Sequence, residues 1–194
     1  GAGRVCGWNC LPATLNQVHR LPDIRGYDGA DPAHLVALLG LAEKQHPDIT
    51  MTKPDYAVTQ AFLPVESPIL DMLNLRYRIY RGTPPADVTP LLTSPDYYVV
   101  ESGTYLPRPY IPRRVEVAER HVQYQRMGAP AFDPRETAFV EQPLATDFDG
   151  PSEGTAEIID EIGSRIRIQV DMQTPGLVVL SDLWFPGWNA YLDG

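Results

Sequence analysis

Thr155-Ala156-Glu157-Ile158-Ile159-Asp160-Glu161-Ile162, then Gly163-Ser164, then Arg165-Ile166-Arg167-Ile168-Gln169-Val170-Asp171-Met172: this stretch decides the fold. Two runs with a period of two, separated by a two-residue Gly-Ser step, predict a β-hairpin. In the second run Ile166, Ile168, Val170 and Met172 fall on one face, and Arg165, Arg167, Gln169 and Asp171 on the other. Such alternation suits an antiparallel sheet with one face packed and one wet. Downstream, Thr174-Pro175-Gly176 turns the chain into the apolar run Leu177 to Leu180. That run reads as a sandwich strand extending to Leu183, and Pro186 to Gly194 reads as entry into a further hairpin.

Upstream of the hairpin, other strand patterns appear. Tyr97-Tyr98-Val99-Val100-Glu101 is rich in β-prone residues. Arg114 to Ala118 alternates, Phe132 to Arg135 marks a turn, and Thr137 to Val140 is a short strand. Three prolines between Pro107 and Pro112 confine that segment to an edge or extended piece.

The first part of the chain is different. Arg4 to Trp8 reads as a strand followed by a turn at Asn9, and Leu11 to Val18 as a short helix. Asp31-Pro32 opens a longer helix, running to about Gln45, with Leu35, Leu38, Leu39 and Ala42 on one face. Pro68 to Leu75 reads as a short helix capped by Ser67, feeding directly into an alternating strand, Arg76 to Tyr80. The expected fold is α+β: a helix/strand layer over residues 1–83, then an antiparallel, β-sandwich-like part over residues 84–194.

Composition narrows the function. At 194 residues the chain can bury a sizeable core. Its 43% hydrophobic and 21% charged residues are those of a globular protein. A net charge of −9, with scattered arginines, speaks against a nucleic-acid partner. The 20 prolines, about twice the usual frequency, are spread as loop punctuation. No apolar run reaches the 18 or more residues of a membrane span.

Catalytic signatures are lacking. The four histidines (His19, His34, His46, His121) form no metal-ligand spacing, and there is no G-x-S-x-G elbow and no complete phosphate loop. Cys6 and Cys10 leave three readings open: a small disulfide, a metal pair or two buried thiols, although a structural zinc site requires more ligands. Asp28, Asp31, Glu101, Asp147 and Asp149 are conceivable members of a glycosidase carboxylate pair. Trp184, Phe185, Trp188 and Tyr191 read either as a sugar-stacking platform or as a plug at the end of a sandwich, and the plug is the preferred reading. No catalytic residue, cofactor or metal is expected.

Leu180-Ser181-Asp182-Leu183-Trp184-Phe185-Pro186-Gly187-Trp188-Asn189-Ala190-Tyr191-Leu192-Asp193-Gly194 resembles a motif of bacterial YfhO-type membrane proteins, in their C-terminal extracytoplasmic region. Three other stretches agree in order. Asp23-Ile24-Arg25-Gly26-Tyr27-Asp28 is similar to that family's D-(V/I)-RGYD segment. Leu70 to Tyr77 is similar to LD-x-LN-V-RY, and Leu106 to Tyr110 to LPRA(F/Y), with Pro109 in place of Ala. The resemblance implies an extracytoplasmic, non-catalytic domain of a polytopic cell-membrane protein related to GT-C glycosyltransferases of lipid-linked sugars. It implies two partners: the membrane-embedded remainder of the same chain, and a glycan or lipid-linked sugar. Arg25, Tyr27, Asp28, Trp184 and Trp188 are the candidate ligand or interface residues. The family motif continues beyond Asp-Gly into another strand, so the chain is expected to be a piece of a longer protein. A carbohydrate-binding β-sandwich and a carboxylate-dependent hydrolase are the alternatives.

Overall fold

The computed structural model describes residues 3–8, 10, 18–25, 33–44, 66–146 and 148–193. The expected helix at 11–18, the turn at Asn9 and the helix start at Asp31-Pro32 therefore fall wholly or largely outside the described residues. The fold is α+β, with a β-rich C-terminal part.

A mixed four-stranded sheet organises the first half. Strands β1 (Arg4–Trp8), β2 (Leu75–Arg81), β3 (Leu92–Thr93) and β4 (Tyr97–Glu101) lie in the order β1-β2-β4-β3. β1 and β2 are parallel, with Cys6 opposite Arg78, while β4 runs antiparallel to both β2 and β3. Two strands come from residues 1–83 and two from residues 84–194, so the two expected subdomains share this sheet. Tyr80 and Tyr98, directly opposite each other, stack with centroids 5.1 Å apart.

Helices α1 (Ala33–Lys44) and α2 (Pro68–Met72) build the core with this sheet. Leu35, Leu39 and Ala42 are buried as expected and Leu38 is half-buried; Ala37 and Leu41 are buried as well, so the packed face of α1 is broader than the four-residue stripe. In α2, Ile69 and Leu70 are buried. This helix is shorter than its pattern suggests. It stops at Leu73 because Asn74 adopts a left-handed conformation (φ 62°), which asparagine tolerates at a helix end. The chain then enters β2 at Leu75. Ser67 occupies the N-cap position with no side-chain cap bond. The core cluster joins Cys6, Ile24, Leu35, Leu39, Leu70 and Leu75 to Phe132 from the second half.

In the second half, β5 (Pro109–Tyr110) pairs antiparallel with β10 (Val179–Leu180). Leu177 to Leu183 is thus not a long sandwich strand. Only Val179 and Leu180 are paired as strand, because the proline-rich segment opposite offers only a short ladder, and Ser181 adds one backbone bond to the Arg108 carbonyl. Strand β6 (Arg114–Val117) and β7 (Thr137–Val140) pair in parallel across a helix, α3 (Arg120–Met127), that the sequence reading missed. No residue of α3 is buried, so it carries no strong apolar stripe; only Tyr124 and Met127, three apart, pack against the core.

The hairpin that opened the reading is present as β8 (Gly154–Ile162) and β9 (Arg165–Met172). Gly163 carries the positive φ (59°) at the first turn position, as a type II′ turn requires. A bulge at Ile159 shifts the register between Ile158↔Ile168 and Asp160↔Arg167. Ile166, Ile168 and Met172 share a half-buried face, while Val170 is exposed. The hairpin contributes no fully buried side chain.

Candidate functional site

Among the expected site residues, Arg25 is held within the fold. It is 8% exposed, and its Nε and Nη2 donate to Oδ1 and Oδ2 of Asp23 at 3.0 and 2.8 Å, while Nη1 donates to the Gly7 carbonyl at 2.9 Å. The Asp23 carboxylate also accepts from the Arg25 backbone N–H at 2.8 Å. Burial opposes the charge of Arg25, but the hydrogen bonds to Asp23 prevail and raise its pKa. Asp-Ile-Arg is therefore a local clamp that ties this loop to β1. Tyr27 and Asp28 lie outside the described residues.

Cys6 and Cys10 are two thiols, not a disulfide. The Sγ of Cys10 donates to the Ile79 carbonyl at 3.2 Å. Burial pushes the Cys6 thiol up from 9.0 to about 11, and the nearby Arg25 only partly offsets it. A raised thiol ionises more readily in the unfolded chain, so it weakens the fold progressively as pH rises from 9.0 toward about 11. At pH 8 its thiolate fraction is about a hundredfold below that of an ordinary thiol. Brief alkylation with iodoacetamide at pH 8, read by peptide mass spectrometry, is expected to leave Cys6 unmodified in the native protein and to modify it after denaturation.

Of the conceivable carboxylate pair, Asp28, Asp31 and Asp147 lie outside the described residues. Glu101 is engaged by Arg76 at 2.7 Å, and Asp149 is exposed. His34 bonds the Tyr124 hydroxyl at 2.7 Å. Among the described residues no group of three or more His, Cys, Asp or Glu is arranged to hold a metal ion. A cleft of about 520 Å³ is lined by Arg114, Glu116 and Val117 of β6 and by Leu144, Thr146 and Phe148 among others. Arg25, Trp184 and Trp188 do not line it.

The aromatic cluster is where the structure most changes the reading. The plug expectation is overturned: Trp184 is 72% exposed, Tyr191 81% and Leu192 91%, and Leu183, Phe185 and Trp188 are exposed as well. After Leu180 the segment joins no strand, so no described sheet end receives these rings. It is nonetheless shaped. Pro186-Gly187 forms a β-turn in which the Trp188 N–H donates to the Phe185 carbonyl at 3.1 Å, with Gly187 at φ 113°, as a type II turn demands.

The base of this segment is fixed to the fold by charges that the sequence did not reveal. Asp182 accepts from Arg4 Nη2 at 2.5 Å and from Arg108 Nη2 at 2.6 Å. Arg4 Nη1 also donates to the carbonyls of Leu73 and Ser181, and Arg108 Nη1 reaches Glu161 on β8 at 2.7 Å. Burial lowers the pKa of Arg4, whereas for Arg108 the bonds to Glu161 and Asp182 outweigh burial and raise it. Asp182 thus joins β1 to the β5 segment, and Arg108 carries the link on to β8 through Glu161, next in sequence to the exposed aromatics.

No helix among the described residues is long and apolar enough to cross a membrane. Comparison of the chain with protein-family models, curated proteins and solved structures returned no match.

Proposed function

We propose that the chain is an extracytoplasmic, non-catalytic domain of a polytopic cell-envelope membrane protein of the YfhO type, and that residues 183–192 are its contact face toward the membrane-embedded remainder. The observation that carries this reading is the exposed run Leu183, Trp184, Phe185, Trp188, Tyr191 and Leu192, set on a base fixed by Asp182. Exposed apolar residues in such a group mark interaction surfaces. Trp and Tyr suit a boundary where one side is apolar and the other wet. The order of the four motifs supports the same assignment, and the parent protein is then a relative of glycosyltransferases acting on lipid-linked sugars. The test is the reading frame that contains this chain, with reporter fusions to locate residues 1–194. A series of apolar segments of about 20 residues and an extracytoplasmic position are expected. A frame without such segments, or a cytoplasmic position, contradicts the proposal.

The exposure of Trp184 also favours a second reading, a sugar-binding platform. Trp184→Ala and Trp188→Ala are expected to change unfolding free energy by no more than about 0.5 kcal/mol, because surface side chains carry little stability. Urea unfolding checks that. Calorimetry with a glycan panel separates the readings: binding abolished by Trp188→Ala supports the platform, and binding indifferent to it contradicts the platform.

A further inference from the structure

Arg78 lies on β2 opposite Cys6 and is 4% exposed, yet its Nε and Nη2 have no hydrogen-bond partner among the described residues. These two nitrogens form the side-on edge of a guanidinium. Their parallel N–H bonds match two oxygens of a carboxylate or phosphate. Arg25 shows that edge filled, with Nε and Nη2 on the two oxygens of Asp23.

The acidic groups close enough to influence Arg78 do not fill it. Asp71 is buried and accepts from the Ser102 hydroxyl at 3.3 Å, and Glu66 is exposed. Both act on Arg78 through space, without a bond. A buried cation with two unused donors is uncommon in a native fold and calls for an explanation. Arg78 is the middle residue of β2, which lies between β1 and β4 in the sheet.

We propose that the Nε–Nη2 edge of Arg78 is an oxyanion-binding position that takes a small carboxylate- or phosphate-bearing ligand. This rests on a different observation from the aromatic face, so either proposal can fail alone.

The experiment is thermal unfolding of the whole chain, titrated with inorganic phosphate or with acetate against chloride at equal ionic strength. At least one oxyanion is expected to raise Tm saturably, by about 5 °C or more at a hundredfold excess over Kd. Which of the two does so identifies the group recognised. Arg78→Lys, which keeps the charge but loses the fork, is expected to lose most of the shift. Arg78→Met is expected to lose all of it, and to melt no lower than the unsubstituted chain when no oxyanion is present. If Arg78→Met does not fold, Arg78→Lys alone decides. A Tm indifferent to both oxyanions, or an equal rise in Arg78→Lys, overturns the proposal. So does a crystal structure with one of this chain's own carboxylates on that edge.

Discussion

Asp23→Asn is expected to cost about 3–5 kcal/mol of stability, the typical loss when one partner of a buried ion pair is removed. Both side chains are almost inaccessible, 6% exposed for Arg25 and 5% for Asp23. An asparagine keeps one acceptor for the Arg25 backbone N–H and Nε but turns an amide toward Nη2, removing the Asp23 charge beside a buried guanidinium. Against the 5–15 kcal/mol that hold an ordinary domain together, this loss is large. The measurement is the urea unfolding midpoint at constant m. The double change Asp23→Leu with Arg25→Met is expected to recover part of the loss, since a buried pair replaced by apolar groups is often neutral. A single substitution costing less than about 1 kcal/mol would show that the pair is not buried as described.

Leu70→Ala is expected to cost about 2–5 kcal/mol, the lost transfer energy together with the cavity left behind. Leu70 is 0% exposed in the middle of the cluster formed by α1, α2 and the four-stranded sheet. Ile168→Ala, on the half-buried face of β9, removes less buried area and is expected to cost about half as much or less. Equal losses at the two positions would place the core in the wrong half of the molecule.

That contrast also marks how far the sequence could be read. Local patterns were legible: the Gly163-Ser164 turn, the leucines of α1, and the alternation of β2, β4, β8 and β9 all depend on neighbours in sequence. Depth was not. The cleanest alternation, Ile166 to Met172, belongs to a peripheral hairpin, because period two reports which face a residue takes and not how much covers that face. Helix α3 escaped because it lies on the surface, where no apolar stripe is required. Parallel pairing of β6 with β7 is a long-range choice that neither strand encodes by itself. The Asp182 clamp joins residues 178 positions apart, which no local signal foretells. As for the site, Arg25, expected as a ligand or interface residue, is engaged by Asp23 within the fold. Trp184 and Trp188 were identified by their chemistry, and only the fold could show that nothing among the described residues covers them.

The most direct test of the proposed contact face is hydroxyl-radical footprinting of Trp184, Trp188 and Tyr191, performed on this chain alone and on the full-length protein in a bilayer. The prediction is ready oxidation of all three in the isolated chain, and strong protection of at least Trp184 and Tyr191 in the membrane-embedded protein. Equal oxidation in both would contradict the assignment of residues 183–192 as the face toward the membrane-embedded part.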